Sequence, residues 1–183
     1  WGSSSSDVLA CGDYGTILRF DGAAWNPMAS NTTRILYGLW GSSSDDVFAV
    51  GSSGTILHWQ GDTWEPVTSN AQYDLRGVWG RSPSDIFAVG KKCTIVRYDG
   101  GSWTPMTDQV LTTASQHTLY SVWGSSSNDT FVVGNGGIIL HYDGTGWSEM
   151  AADNALTLWG VWGSSPDNVF AVGNGGTIIS YNG

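Results

Sequence analysis

The dipeptide Trp-Gly recurs at Trp1, Trp40, Trp79, Trp123 and Trp162, at spacings of 39, 39, 44 and 39 residues. Self-similarity at such a period restricts the chain to a solenoid, a propeller or an array of like units. Each unit follows one grammar. An apolar residue precedes Trp-Gly, and a Ser-rich turn closes on Asp. Runs such as Val47-Phe48-Ala49-Val50-Gly51 and Gly54-Thr55-Ile56-Leu57-His58-Trp59 come next, then a Gly turn and Trp64-Glu65-Pro66-Val67. Turn residues separate four short strands, and no helical period occurs anywhere. Three tight turns in a row predict a four-stranded antiparallel meander.

The middle strands are apolar on consecutive residues rather than alternate ones, so both of their faces must be covered. A sheet stacked between copies of itself meets that condition, and radial repetition of four-stranded units is the β-propeller. The expected fold is all-β: a single propeller domain over residues 1–183, built of four-stranded antiparallel blades of about 39 residues, most simply five. The units are 1–39, 40–78, 79–122, 123–161 and a partial 162–183, the last lacking its outer strand. The simplest closure sets the fifth unit against the first. The rivals are part of a larger ring, or self-association through open blade edges.

Eleven Trp fit this scheme. Five belong to Trp-Gly, Trp25, Trp64, Trp103 and Trp147 open the outermost strands, and Trp59 shares its place with Phe20, Tyr98, Tyr142 and Tyr181. Large rings burying ~150 to 250 Å² each are natural filler between twisted sheets. Trp159 alone stands outside the template. Seven Lys and Arg against sixteen Asp and Glu give a net charge of −9, and the bases are scattered, which excludes nucleic acid as a partner. No apolar run reaches the ~18 to 20 residues of a membrane span. Cys11 replaces the Val of the other units and reads as buried apolar filler. Cys93 stands where the other units have Gly15, Gly54, Gly137 and Gly176, a turn position expected to need positive φ. The cysteine spacing suggests neither a metal site nor a disulfide framework.

At Ala49-Val50-Gly51-Ser52-Ser53-Gly54-Thr55-Ile56-Leu57 and Tyr98-Asp99-Gly100-Gly101-Ser102-Trp103 the chain resembles propeller repeats related to the bacterial neuraminidase repeat, or Asp-box. It is similar to propellers of the photosystem II assembly and stability factor type, and to a Trp-Gly-Ser-Ser variant of secreted or surface bacterial proteins. The resemblance implies a propeller, and a place outside the cell or on its surface, in a bacterium. It implies no single function, because this architecture hosts lectins, sialidases and assembly scaffolds alike.

With strands A to D counted outward from the axis, A-to-B and C-to-D turns share one face, and B-to-C and D-to-A connections share the other. The first face is nearly uniform from unit to unit. The second varies, and its loop from Thr107 to Thr118 is five residues longer than its equivalents. Binding residues usually sit on such loops. Three residues before each A-strand Trp stand Tyr37, Arg76, Tyr120 and Trp159, while the turns add Tyr14, Asn135 and Asn174 and the long loop adds His117. Aromatic rings that stack on pyranose faces, beside amides that bond hydroxyls, predict a multivalent, non-catalytic carbohydrate-binding module. The blander reading has these side chains merely packing loops together. The alternative function is a protein-interaction or assembly scaffold working through the loop 107–118. The partner is thus a glycan or a protein.

Other chemistries fare worse. Asp7, Asp46, Asp85 and Asp129 occupy one repeat position, with Asn168 in the fifth unit, so an Asx-type bond to the local turn explains them better than catalysis or calcium. His58 and His141 share a strand-C position with Arg19, Arg97 and Ser180, which reads as an exposed strand position rather than a metal pair. His117 reads as a solvated loop residue. A sialidase needs converging arginines and a Tyr–Glu pair, whereas Glu65 and Glu149 lie at the outer rim. No enzyme activity, metal or cofactor is expected.

Overall fold

A computed structural model describes residues 1–151 and 155–183, so the D-to-A loop between the fourth and fifth units lies partly outside the described residues. The described chain is five antiparallel sheets, four of four strands and one of three, each a meander in chain order. Blade 1 holds β1 (Gly2–Ser4), β2 (Asp7–Cys11), β3 (Ile17–Phe20) and β4 (Trp25–Met28). Blade 2 holds β5 (Leu36–Ser43), β6 (Asp46–Gly51), β7 (Ile56–Trp59) and β8 (Trp64–Val67). Blade 3 holds β9 (Leu75–Ser82), β10 (Asp85–Gly90), β11 (Ile95–Tyr98) and β12 (Trp103–Pro105). Blade 4 holds β13 (Leu119–Ser126), β14 (Asp129–Gly134), β15 (Ile139–Tyr142) and β16 (Trp147–Met150). Blade 5 holds β17 (Leu158–Ser165), β18 (Asn168–Gly173) and β19 (Ile178–Tyr181). These are blades of a β-propeller, with the expected strand count in each.

The core explains the runs of consecutive apolar residues. In β6, Val47 and Ala49 pack with Leu9 and Ile17 of blade 1, while Phe48 and Val50 pack with Ile86 and Ala88 of blade 3. Side chains of a strand alternate between faces, so a strand buried on both sides needs an apolar residue at every position. Full burial of each such side chain stabilises by ~1.5 to 3 kcal/mol.

The joint between blades also explains why Gly follows Trp. A Cβ added at Gly41 would lie 2.7 Å from the Trp1 ring, and one at Gly80 2.8 Å from the Trp40 ring. At Gly124 the Trp79 ring is 2.9 Å away, and at Gly163 the Trp123 ring is 2.6 Å away. Each Trp therefore lies on the glycine of the following blade. The two halves of one Trp-Gly dipeptide serve two different joints.

The ends differ from the middle. Trp64, Trp103 and Trp147 are 1%, 0% and 5% exposed, but Trp25 at the same position of blade 1 is 48% exposed. On blade 5, Trp162 is 62% and Ile178 70% exposed, and Phe170 and Val172 are exposed too. No Trp ring is among the nearest neighbours of a Cβ built at Gly2, whose closest contact is Asp7 O at 2.9 Å. The five blades thus form an open arc, and the simplest closure, blade 5 on blade 1, is not adopted.

Two local expectations need correcting. A short helix, α1 (Gln109–Thr113), lies in the long loop. Asp108 caps it, accepting from Val110 N at 3.0 Å with one carboxylate oxygen and from Trp147 N at 3.0 Å with the other. A lone capping residue ahead of five helical residues is too short to create a visible period. The recurrent acids are structural as expected, and they bond across the sheet as well as within their own turns. Asp7, Asp46 and Asp129 accept from Ser3, Ser42 and Ser125 and pair across the sheet with Arg19, His58 and His141; Asp85 pairs with Arg97. The His58 ring also stacks on Phe48 at 3.9 Å and His141 on Phe131 at 4.4 Å, so this strand-C position pairs with an acid and packs on a ring rather than simply being exposed.

Candidate functional site

The two faces carry different charge. Among the described residues, the A-to-B and C-to-D side holds Asp7, Asp21, Asp45, Asp46, Asp62, Asp85, Asp99, Asp129, Asp143 and Asp167 against Arg81 and the strand-C residues Arg19 and Arg97. Asp21, Asp99 and Asp143 each accept two backbone N–H bonds in their turns, which holds their carboxyls below the ordinary range; Asp143, bonded also by the Thr145 hydroxyl, falls to about 2. The opposite side has Arg34, Arg76, Lys91 and Lys92 against Asp13, Asp74 and Asp108. The variable face is thus near neutral while the uniform face is strongly acidic.

The residues singled out from the sequence meet on the variable face, but mostly one another. The Arg76 guanidinium lies 4.0 Å above the Tyr37 ring and bonds Asp74 at 3.2 Å. Tyr120 and Trp159 have ring centroids 4.5 Å apart, and Trp159 Nε1 donates to Asn174 Oδ1 at 2.7 Å. Each pair joins equivalent positions of adjacent inner strands. Asn135 Oδ1 accepts from Thr118 N, and its carbonyl accepts from His117 Nδ1 at 2.8 Å. His117 is therefore a half-buried brace between the long loop and the β14–β15 turn, not a solvated residue. Tyr14 stands apart, 85% exposed.

A further concavity lies elsewhere on this face. A cleft of about 420 Å³ opens between residues 70–73, the turn at Lys92-Cys93-Thr94, residues 105–108 and α1. Cys93 and α1 are one feature. Cys93 has φ 53° and its N–H donates to His117 O at 2.8 Å, while its side chain is buried with Leu111 and Ala114. Where blades 1 and 2 have glycine, a Cβ would fall 2.0 Å from Thr32 O at Gly15 and 2.1 Å from Ala71 O at Gly54. The longer loop takes another path and α1 fills the space, so blade 3 accommodates a side chain where blades 1 and 2 do not. Burial pushes the Cys93 thiol up to about 12, helped by the charge of Glu149, which removes it as a nucleophile. Half-buried Cys11 is pushed up to about 11 by the same cause. The cleft floor is apolar, from Ile95, Met106 and Leu111; the rim carries Tyr73, Lys92, Thr112 and Ser115, with Lys92 Nζ 5.9 Å from the centre of the Tyr73 ring. A smaller copy of about 280 Å³ lies one blade back, between Asn31, Thr32, Arg34, Ile56 and Pro66. Sequence reasoning marked the loop but missed Tyr73 and Lys92, because only the fold brings them to it.

Among the described residues no three His, Cys, Asp or Glu side chains converge as a metal site, and no helix is long and apolar enough to cross a membrane.

No protein-family model and no curated protein matches the chain. Solved structures do, two structures of YCF48 among them. YCF48 bound to D1 peptide matches over 98% of this chain at TM-score 0.75 and 16% identity. YCF48 from Cyanidioschyzon merolae matches over 97% at TM-score 0.73 and 12% identity. The chain spans 61% and 66% of those two structures, so the likeness concerns the fold of a part of each.

Proposed function

We propose that the chain is a protein-interaction scaffold that holds an extended segment of a protein partner in the α1 cleft. The observation that carries this reading is the cleft itself: an apolar floor, a rim of hydroxyls, one Tyr and one Lys, and walls from three separate chain segments. Apolar floors with a few convergent polar groups suit side chains of a peptide. A propeller of the same fold whose structure contains a bound peptide supports the reading. The carbohydrate reading loses ground for a physical reason. Three of the four flat rings meant for pyranoses, Tyr37, Tyr120 and Trp159, are engaged by Arg76 or by each other, and freeing them costs the contacts they already make.

Displayed random peptides selected on the purified chain test this. The expected result is a related set of peptides whose binding is lost on Tyr73→Ala or Lys92→Glu, both exposed and peripheral to the core. A glycan array run in parallel is expected to stay blank. Binding to one sugar family that disappears in a Tyr120→Ala, Trp159→Ala double variant would overturn the scaffold reading.

A further inference from the structure

The seven Lys and Arg side chains divide by what they pair with. Arg19, Arg76 and Arg97 each hold a carboxylate, those of Asp7, Asp74 and Asp85. Arg34, Arg81, Lys91 and Lys92 have no carboxylate within ion-pair distance among the described residues, although acids outnumber these bases by sixteen to seven. Three of those four stand on the variable face, and Lys92 lines the α1 cleft.

The neighbouring joint shows a carboxylate at this place supplied by the chain itself. The middle residue of the blade 2 turn is Ser53, whose N–H donates to Asp74 Oδ1 at 2.9 Å and whose hydroxyl accepts from Arg34 Nη1 at 3.0 Å. One blade on, Lys92 replaces Ser53, Tyr73 replaces Arg34 and Thr118 replaces Asp74. The cation has moved from the loop to the turn, a second cation, Lys91, precedes it, and the carboxylate is gone. Lys92 Nζ lies over the Tyr73 ring and makes no hydrogen bond to the described residues. The acid that lines this cleft does not serve it, because both oxygens of Asp108 are taken, by Val110 N and Trp147 N.

We infer that the Lys91-Lys92 turn is a carboxylate subsite of the α1 cleft, and that the partner segment is both apolar and acidic. An apolar side chain rests on the floor of Ile95, Met106 and Leu111, and an Asp or Glu side chain of the same segment meets Lys92 at the rim. This rests on the reading of the cleft as a peptide site and adds the partner's chemistry to it. Asp74 sets a side-chain carboxylate against the equivalent turn of blade 2, and the partner's acid does the same from outside. Charge at an exposed rim acts chiefly on the choice of partner and the speed of encounter, while the apolar floor supplies most of the contact area. The net charge of −9 repels an acidic segment from the rest of the surface, so the two lysines also steer it to this cleft.

The test selects displayed random peptides in parallel on the parent chain and on a Lys91→Glu, Lys92→Glu variant, both positions being exposed. The selected peptides are made with amidated C-termini and titrated by fluorescence anisotropy, and a melting curve checks that the variant folds. Peptides from the parent are expected to carry Asp or Glu at a constant spacing from an apolar residue. Changing that acid to its amide is expected to weaken binding by roughly 2- to 10-fold, with the difference shrinking as salt is raised. Peptides from the variant are expected to carry Lys or Arg at that place instead. The amide substitution leaves the protein untouched, so misfolding cannot imitate the result. Peptides that Tyr73→Ala releases, but whose acids are not enriched or become amides without loss, would overturn this inference and leave the scaffold reading standing. Binding that needs a free C-terminal carboxylate in place of a side-chain acid would overturn it as well. If neither chain selects a peptide that Tyr73→Ala releases, the cleft is no peptide site and both readings fall.

Discussion

Trp103 and Trp25 open the same strand in two blades, in nearly the same sequence setting, and one is fully buried while the other is half exposed. Trp79 and Trp162 differ in the same direction, half-buried against 62% exposed. Interior joints and end flanks share their residues and differ only in whether a neighbouring blade is present. In a stacked-repeat protein each unit contacts only its neighbours, so stability is a sum over joints rather than a property of any unit alone. Burial here cannot be read from a residue's own repeat.

The largest test of that contrast is deletion of the outer-strand Trp. Trp103→Ala is expected to cost ~3 to 5 kcal/mol in denaturant unfolding, against less than ~1 kcal/mol for Trp25→Ala. Equal costs would mean that the front flank of blade 1 is covered in solution. A backbone version follows at smaller scale. A Cβ at Gly77 would meet Tyr120 O at 2.8 Å, whereas at Gly160 the closest atom is on exposed Val172, at 3.3 Å. Gly77→Ala is expected to cost ~1 to 3 kcal/mol by crowding. Gly160→Ala should stay within ~0.5 kcal/mol of the parent, and a melting curve of each decides it.

Cys93 sharpens the comparison within the interior. Replacing it by Gly relieves a left-handed conformation of roughly 1 kcal/mol but removes a side chain buried against Leu111 and Ala114. Cys93→Ala loses most of that packing and keeps the backbone cost, so Cys93→Gly is expected to melt at or above Cys93→Ala. A lower melting temperature for the glycine variant would mean that the turn does not need its positive φ. The smallest effect concerns acid. The carboxyls of Asp21, Asp99 and Asp143 are depressed in the folded state, so their stabilisation is complete above the ordinary carboxylate value. It is lost as pH falls through the folded values, that of Asp143 lying at about 2. Blade 2 has Gln60 at that place, so Asp143→Ala is expected to make the acid limb of a stability–pH curve shallower, and an unchanged limb would count against the turn bonds.

The strands and their turns were legible because each unit repeats its own punctuation, and because consecutive apolar residues such as Val47-Phe48-Ala49-Val50 demand cover on both faces. What the repeat hid was everything made between units. Tyr37 and Arg76 are a stacked pair, but they stand in neighbouring blades, and alignment of the units places them as equivalents rather than partners. The pairing of Asp46 with His58 was missed for the opposite reason: both lie in one unit, and only strand register brings them face to face. The α1 cleft combines three loops, and of its parts only the extra length after Thr107 left a mark in the sequence. Cys93 was recognised as an exception at a glycine position, and the fold supplies its cause in the rerouted loop.

The way each Trp lies on the next blade's Gly gives the chain a polarity and a standard coupling. At this contact any unit carrying that dipeptide can follow any other. Gain or loss of a complete unit preserves the Trp-on-Gly fit at the remaining joints, whereas insertion of a fraction of one breaks two at once. Growth by duplication is thus built into the smallest repeated element of the sequence.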